Sequence, residues 1–452
     1  MKVSTFDQDF FELEEFASRL EQFIEVEREF VDGSLVLGLS SSFGSGKSTF
    51  LDMWTHSLAT RPDGGAPTVV SLNAWESDYW GDPLFAIISA FVDELETKGA
   101  ETGGLRTAAK DIGWFFTAIA SQVAAKVSGI DPIEAGEFSQ RKKDERESSD
   151  AILPDTFTVY RERRFAMGAL KRELATVIAA ANANVWFLVD ELDRCRPDYA
   201  VTYLETIKHI FDIPGAVFIL AADRQHLENS AKTAFGQDLN FDEYYRKFVH
   251  REVVLPQLQE KNYLAMSRAY VNHYLEPDGG RFTRINLAEN QVESITQFIA
   301  ALRLTPRQTQ EVFRVVGHVC SAEESNRGQM YWCIAIGTVL MSALKAGEPE
   351  LFHKLGNQEV EADELLDYLR ARAEDHVVEW WFSILLTGGG IKMLEEDTQE
   401  GVMVRAGIAS YDDDNRYRGR DLGEYRSGWG ISGGEGRLRQ AYLLINEIGQ
   451  WN

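Results

Sequence analysis

Cysteine is nearly absent: the chain has three thiols, Cys195, Cys320 and Cys333, in 452 residues. They form no Cys-x-x-Cys pair and are too few for a disulfide framework, which fits a reducing compartment. Positive charge is also scarce. The 46 Lys and Arg residues face 71 Asp and Glu, for a formal net charge of −25. Such a field repels phosphate backbones and argues against non-specific coating of nucleic acid. Long apolar runs are missing too. The most membrane-like stretch in the first half, Ile112–Ala125, contains Thr117, Ser121 and Gln122. It falls short of the roughly 18–20 residues a span needs, so it reads as a buried or partner-facing helix. Met1–Phe10 carries acidic residues where a signal peptide would carry basic ones. A cytoplasmic protein without a membrane span is expected.

What is present is ordinary folded material. Hydrophobic residues make up 44% and charged residues 26%, enough to bury a substantial core in about two or three domains. Phe11, Leu13, Phe16, Leu20 and Phe23 recur at near-helical spacing within an acidic opening segment, Phe6 to Phe30. Short apolar runs of strand length follow at Leu35–Leu39, Thr68–Leu72, Val185–Val189, Ala216–Ala222 and Glu252–Leu255. Between them lie helical patterns at Lys47–Leu58, from Pro83 (Leu84, Ile87, Ile88, Phe91 and Leu95 on one face), at Tyr160–Ala180 and at Pro197–Phe211. Strands alternating with helices predict a mostly parallel sheet covered on both faces.

The boundaries expected are 1–98 for an N-terminal helix and the first half of the core, and 99–156 for a helical or mobile insertion. The second half of the core would span 157–257, a helical domain 258–386, and an irregular Gly-rich tail 387–452. Within the insertion, Trp114, Phe115 and Phe116 are the candidate partner contact.

The strongest motif is Ser41-Ser42-Phe43-Gly44-Ser45-Gly46-Lys47-Ser48, directly after a strand and before a helix. Gly44 and Gly46 permit a tight loop whose N–H groups wrap phosphates, reinforced by the helix dipole. The nucleotide-binding set is Ser42, Phe43, Gly44, Ser45, Gly46, Lys47, Ser48 and Thr49. Lys47 would reach the β- and γ-phosphates of ATP or another nucleoside triphosphate, and Ser48 would ligate Mg²⁺. Ser41 stands where the consensus has glycine. The competing reading is a loop that merely turns a strand into a helix. A carboxylate at a neighbouring strand end must help hold the metal, and Val185–Val189 runs into Asp190-Glu191. Asp190 is placed for the metal and Glu191 for polarising the attacking water.

Asp190-Glu191-Leu192-Asp193-Arg194-Cys195-Arg196-Pro197, then Leu204-Glu205-Thr206-Ile207-Lys208 and Phe218–Asp223, resemble the KAP family of P-loop NTPases. Asn73-Ala74-Trp75, Tyr245-Arg246-Lys247-Phe248 and Leu304-Thr305-Pro306-Arg307 resemble further landmarks, so the likeness covers roughly Phe6 to Val316. Many family members carry transmembrane helices where this insertion lies; this chain resembles the soluble, bacterial-type branch. The resemblance implies an α/β P-loop NTPase core of the additional-strand (AAA+/STAND-like) type, five-stranded and mostly parallel, followed by an α-helical lid. It implies that Asp223 senses the γ-phosphate, that Arg307 reports nucleotide state, and that Arg246 or Arg251 serves as an arginine finger on a neighbouring subunit. The bland counterparts are a helix N-cap for Asp223 and surface ion pairs for Arg246 and Arg251. Asp193 and Arg194 are expected to pair with each other, and Cys195 to be a small buried side chain.

The resemblance further implies Mg-dependent hydrolysis driving a conformational or assembly switch, as a homo-oligomer or with a separate effector, in bacterial anti-phage defence. The alternative is a nucleotide-stabilised scaffold with little turnover that recruits an effector. Arg416-Tyr417-Arg418-Gly419-Arg420 with Tyr425, Arg426 and Trp429 has the composition of a single-strand nucleic-acid surface. Asp412, Asp413, Asp414 and Asp421 beside it favour an ordinary surface loop. Trp380, Trp381, Ile384, Leu385 and Leu386 are expected in the core.

Overall fold

A computed structural model describes residues 4–41, 45–61, 66–110, 156–181, 184–256, 258–275, 281–322, 329–430 and 436–449. The chain divides into two compact units, one of Val3–Asp9 with Leu13–Pro256, the other of Phe10–Glu12 with Gln257–Asn452. Among the described residues no helix is long and apolar enough to cross a membrane. Ile112–Ala125 and the Trp114–Phe116 contact lie outside the described residues.

The first unit is built on a five-stranded sheet in the order β2-β3-β4-β1-β5, with every pairing parallel. Its strands are β1 (Leu35–Ser40), β2 (Thr68–Asn73), β3 (Val185–Asp190), β4 (Ala216–Ala222) and β5 (Arg251–Val254). The inner strands β1, β3 and β4 are apolar and buried nearly throughout, as strands covered on both faces must be. The edge strands β2 and β5 keep exposed positions.

Side chains of successive strand residues leave opposite faces, and β3 shows the consequence. Phe187 stacks on Phe218 of β4 at 4.5 Å between centroids and meets Phe91 and Phe211 edge-on. Trp186 instead packs on Trp54, which stacks on Phe50. The helices of this unit are α1 (Leu13–Arg28), α2 (Lys47–Ala59), α3 (Ala74–Asp78), α4 (Pro83–Thr97), α5 (Thr156–Ala180), α6 (Pro197–Ile210), α7 (Arg224–Phe235) and α8 (Phe241–Tyr245); Phe50 and Trp54 lie on α2 and Phe91 on α4. The face predicted for α4 is buried as expected. Pro83 sits at the start of α4, and Asp82 accepts a hydrogen bond from Leu84 N at 2.9 Å. The opening helix begins at Leu13 and not at Phe6: Glu12 has φ +57°, which ends any continuous helix there. Its buried stripe is Leu13, Phe16, Ala17, Leu20 and Ile24.

The second unit is helical: α9 (Glu260–Leu275), α10 (Glu289–Ala301), α11 (Pro306–Ala322), α12 (Trp332–Gly347), α13 (Pro349–Gly356), α14 (Ala362–Arg370) and α15 (Asp375–Thr387). Trp380, Trp381, Ile384, Leu385 and Leu386 are core residues here. The segment after 387 is more ordered than its glycine content suggests. It holds α16 (Gln399–Arg405), the hairpin of β6 (Ser410–Tyr411) and β7 (Tyr417–Arg418), α17 (Leu422–Gly428) and α18 (Arg437–Gly449). Several of its glycines serve close packing. A Cβ on Gly388 would lie 2.5 Å from the Trp429 ring, and one on Gly390 would lie 2.5 Å from Leu438. Trp429 is buried, and its Nε1 donates to Thr387 Oγ1 at 3.0 Å. The arginines of its 416–426 stretch are ion-paired: Arg416 with Asp414, Arg418 with Asp412, Arg420 with Glu379 and Arg426 with Glu400. Those pairs cancel the local field that a nucleic-acid surface requires.

Candidate nucleotide site

The carboxyl ends of β1, β3 and β4 are neighbours because the strands are. In register, Ser40 stands opposite Ala222, and Asp190 opposite Ala221 and Asn73. Three carboxylates and one lysine therefore meet at one edge of the sheet.

Lys47 opens α2 and is 8% exposed. Its Nζ donates to the Ser41 carbonyl at 2.6 Å. Burial lowers the ammonium's pKa, and the fields of Asp193, Asp223 and Asp190 oppose that shift. Gly46, just before the helix, has φ +99° and gives α2 no side-chain cap. That left-handed turn is open to glycine at no steric cost, and the first N–H groups of α2 present a dipole end suited to an anion. Ser41, the departure from consensus, donates its hydroxyl to Ser45 Oγ at 2.6 Å and so ties the two ends of the loop. Ser42, Phe43 and Gly44 lie outside the described residues, and Thr49 is half-buried.

Asp190 ends β3. Burial raises its pKa, while hydrogen bonds from the Ser48 hydroxyl and the Glu191 N–H pull the other way, the latter at 2.8 Å. Ser48 and Asp190, expected to share a metal ion, are thus in contact. Among the described residues no group of three or more His, Cys, Asp or Glu side chains is arranged to hold a metal. A hydroxyl–carboxylate pair is a hard-oxygen donor set that fits Mg²⁺, which keeps most of its coordination for water and phosphate.

Glu191 adopts φ +60°, unusual for a non-glycine residue. One carboxylate oxygen accepts from Asn73 Nδ2 at 3.1 Å, and the other pairs with Arg194 Nη2 at 2.8 Å. The expected Asp193–Arg194 pair does not form. Arg194 turns to Glu191 and lies over the Trp75 ring. Asp193 Oδ2 instead accepts from Asp223 N at 2.9 Å, linking the ends of β3 and β4. Asp223 is the N-cap of α7, accepting from Gln225 N at 2.9 Å. Cys195 is buried, with its thiol pushed up to about 12 by burial.

The three candidate arginines lie on other elements. Arg246 is exposed just after α8. Arg251, on the edge strand β5, pairs with Glu27 at 3.2 Å. Arg307 belongs to the helical unit, exposed in the first turn of α11, where it lines a cleft of about 730 Å³ with Arg281, Arg284, Arg314 and His318. Sequence reasoning missed the roles of Asn73 and Asp78. Asn73 was visible only as part of an Asn-Ala-Trp landmark. Asp78 gave no signal, yet its carboxylate accepts from Arg196 N and Nε, both at 2.9 Å.

A parallel sheet with a glycine-turned loop entering a helix, a buried lysine in that loop and an acidic strand end beside it defines a P-loop nucleotide-binding protein. The family model described as the KAP family P-loop domain matches residues 14–319. The chain belongs to that family. No curated protein matches it. Among solved structures, the chain is similar to the Aeropyrum pernix ORC2 protein in its ADPNP–ADP complexes, at 11% identity and TM-score 0.35, with 97% of this chain and 95% of that one covered. It is also similar to the Aeropyrum pernix ORC1 protein in complex with DNA, at 13% identity and TM-score 0.34, with 98% and 94% covered.

Proposed function

We propose that the chain binds a Mg–nucleoside triphosphate, ATP in the first instance, and hydrolyses it to switch conformation or assembly. One observation carries the reading. The buried Lys47 ammonium is held by a backbone carbonyl of its own loop, within the fields of Asp190, Asp193 and Asp223. Such an ammonium is poised to exchange that carbonyl for phosphate oxygens, whose charge it matches better. The loop N–H groups and the first turn of α2 would cradle the phosphates. Ser48 and Asp190 would hold Mg²⁺, which when bound neutralises charge on the phosphates. Glu191 would accept a hydrogen bond from the attacking water and orient it. Asp223 would stand near the γ-phosphate as its sensor. Arg307 in the lid, and Arg246 or Arg251 from a neighbouring copy, are proposed to respond to nucleotide. The switch would act on further copies of the chain or on a separate effector, with anti-phage defence as its setting.

The slow-turnover scaffold has one observation in its favour: both oxygens of Glu191 are engaged by protein donors. Steady-state phosphate release from Mg–ATP separates the two readings. Turnover lost in Lys47→Ala and Glu191→Gln, with Glu191→Gln still binding ATP, supports hydrolysis. Tight binding without turnover in the native protein supports the scaffold, and no binding removes both.

A further inference from the structure

The helical unit gathers positive charge in one place. After α9 the chain turns back along that helix. Arg281 N donates to the His273 carbonyl at 3.2 Å, and Phe282 N to the Tyr274 carbonyl at 3.0 Å. Arg284 Nη1 then donates to the Cys320 carbonyl at 2.6 Å, satisfying one of the last carbonyls of α11. Gly317 lets the two segments close up, since a Cβ there would lie 3.2 Å from Phe282 Cε1. Phe282 stacks on Tyr274, and Tyr274 on Phe313, at 5.2 and 4.7 Å between centroids. These residues line the cleft of about 730 Å³, a volume within the usual range for small-ligand sites. From α11 come Arg307, Glu311, Arg314 and His318, because residues three and four apart share a helix face. Arg281 and Arg284 line it from the returning segment.

Among the described residues, four guanidiniums and an imidazole line this cleft beside a single carboxylate, Glu311, in a chain of net charge −25. A concave site lined by one sign of charge focuses its field and concentrates counter-ions. Guanidinium groups take phosphate oxygens as paired N–H donors, and several together neutralise a multiply charged anion without a metal ion. The Lys47 site differs in kind. Its one ammonium lies in the field of three carboxylates, which suits phosphates that arrive with Mg²⁺. We propose that the cleft is a separate binding site for a small, metal-free anion carrying two or more phosphate groups. Arg281 and Arg314, both exposed, grip the phosphates, and Arg307 and His318 add charge. Arg284 holds the wall through Cys320. Glu311, which pairs with Arg314 at 2.8 Å, opposes binding. The bounded volume fits a compact polyphosphate better than an extended nucleic-acid backbone.

The test titrates the full chain carrying Lys47→Ala with inorganic tripolyphosphate, by calorimetry in EDTA. Removing Lys47 and Mg²⁺ suppresses the loop site, so the remaining heat reports the cleft. A hydrogen bond to a charged group shifts an equilibrium by roughly tenfold or more. Adding Arg281→Gln with Arg314→Gln is therefore expected to weaken binding by about tenfold or more. Arg281→Lys with Arg314→Lys, which keeps the charge but loses the paired donors, should weaken it less. Glu311→Gln should tighten binding by about two- to fivefold, the worth of one partly exposed charge; a poorly folded variant cannot mimic that gain. Affinity should also fall as salt rises. With Lys47 intact, the Arg281→Gln and Arg314→Gln pair should leave the Kd for fluorescent Mg–ADP at its native value. No tripolyphosphate binding in the Lys47→Ala chain, or equal binding with and without the two arginines, overturns the proposal. A weakened Kd for Mg–ADP in the arginine pair also overturns it, because the cleft would then be part of the nucleotide site. Binding of a single-stranded oligonucleotide but not of tripolyphosphate overturns it too, in favour of an extended nucleic-acid surface.

Discussion

Gly38 sits in the middle of β1, three residues before the phosphate-binding loop, and its lack of a side chain has a single cause. A Cβ built there lies 2.6 Å from Tyr245 Oη, against 3.6 Å from Tyr245 Cζ and 3.5 Å from Val249 Cγ1. Only the hydroxyl is too close. The tyrosine cannot easily yield, because its ring stacks on Phe241 at 5.2 Å and lies under the Arg224 guanidinium. Overpacking of this kind costs about 1–3 kcal/mol, less about 0.4–1 kcal/mol returned by restricting the unfolded chain. Gly38→Ala is therefore expected to destabilise by about 1–2 kcal/mol, or about 2–8 °C in a unit of this size. The companion change Tyr245→Phe removes the offending atom and leaves an ordinary contact. In that background the same alanine should be neutral or stabilising by about 0.5 kcal/mol, so the double-mutant cycle should return about 1–3 kcal/mol of coupling. Urea denaturation at constant m-value, with hydrogen exchange of β1 and β4 amides to locate the effect in the sheet, measures all four corners. A coupling of zero would refute the argument, because the penalty would then come from the strand backbone and not from the hydroxyl.

Other consequences are more direct. His250 Nδ1 accepts a hydrogen bond from Val36 N at 3.0 Å, and burial, with help from Lys208, lowers its pKa below the usual 6.5. The folded state thus favours the neutral ring, so this stabilisation is complete above about pH 6.5 and is lost as pH falls towards the depressed value. Native stability should drop more steeply than that of His250→Gln between pH 7.5 and 5.5, and parallel curves would contradict this. Cys195, with its thiol near 12, should resist iodoacetamide at pH 8 in the native protein and react once the chain is unfolded in urea. Mass spectrometry of the modified peptide decides it. Phe187 is fully buried against three aromatic rings; Phe187→Ala should cost about 3–5 kcal/mol, read as a lower urea midpoint.

The parts of this fold legible in the sequence are those written locally. Buried parallel strands must be apolar along their whole length, so β1, β3 and β4 stand out as Leu35–Leu39, Val185–Val189 and Ala216–Ala222. The loop before α2 is a contiguous motif whose glycines and lysine need no distant partner to be recognised. Helix starts were equally visible at Pro83 and Pro197, because proline at the first turn costs no hydrogen bond. The tail misled for a physical reason. Glycine signals both irregular backbone and close packing, and composition cannot separate Gly388 under Trp429 from a flexible turn.

What stayed hidden is the chemistry that depends on pairs. Asn73 and Glu191 are 118 residues apart, as are Asp78 and Arg196. Each partner is an unremarkable polar residue in its own surroundings, and the intervening chain holds the whole insertion. The parallel register of β2 on β3, with Asn73 opposite Asp190, is what turns both coincidences into contacts. Arg194 likewise pairs with Glu191 and not with its sequence neighbour Asp193. Asp193 is already held by the Asp223 N–H at the end of β4, so sequence adjacency lost to the geometry of the sheet edge. A candidate carboxylate can thus be found from a motif, but its hydrogen-bond partner is set by the strand beside it.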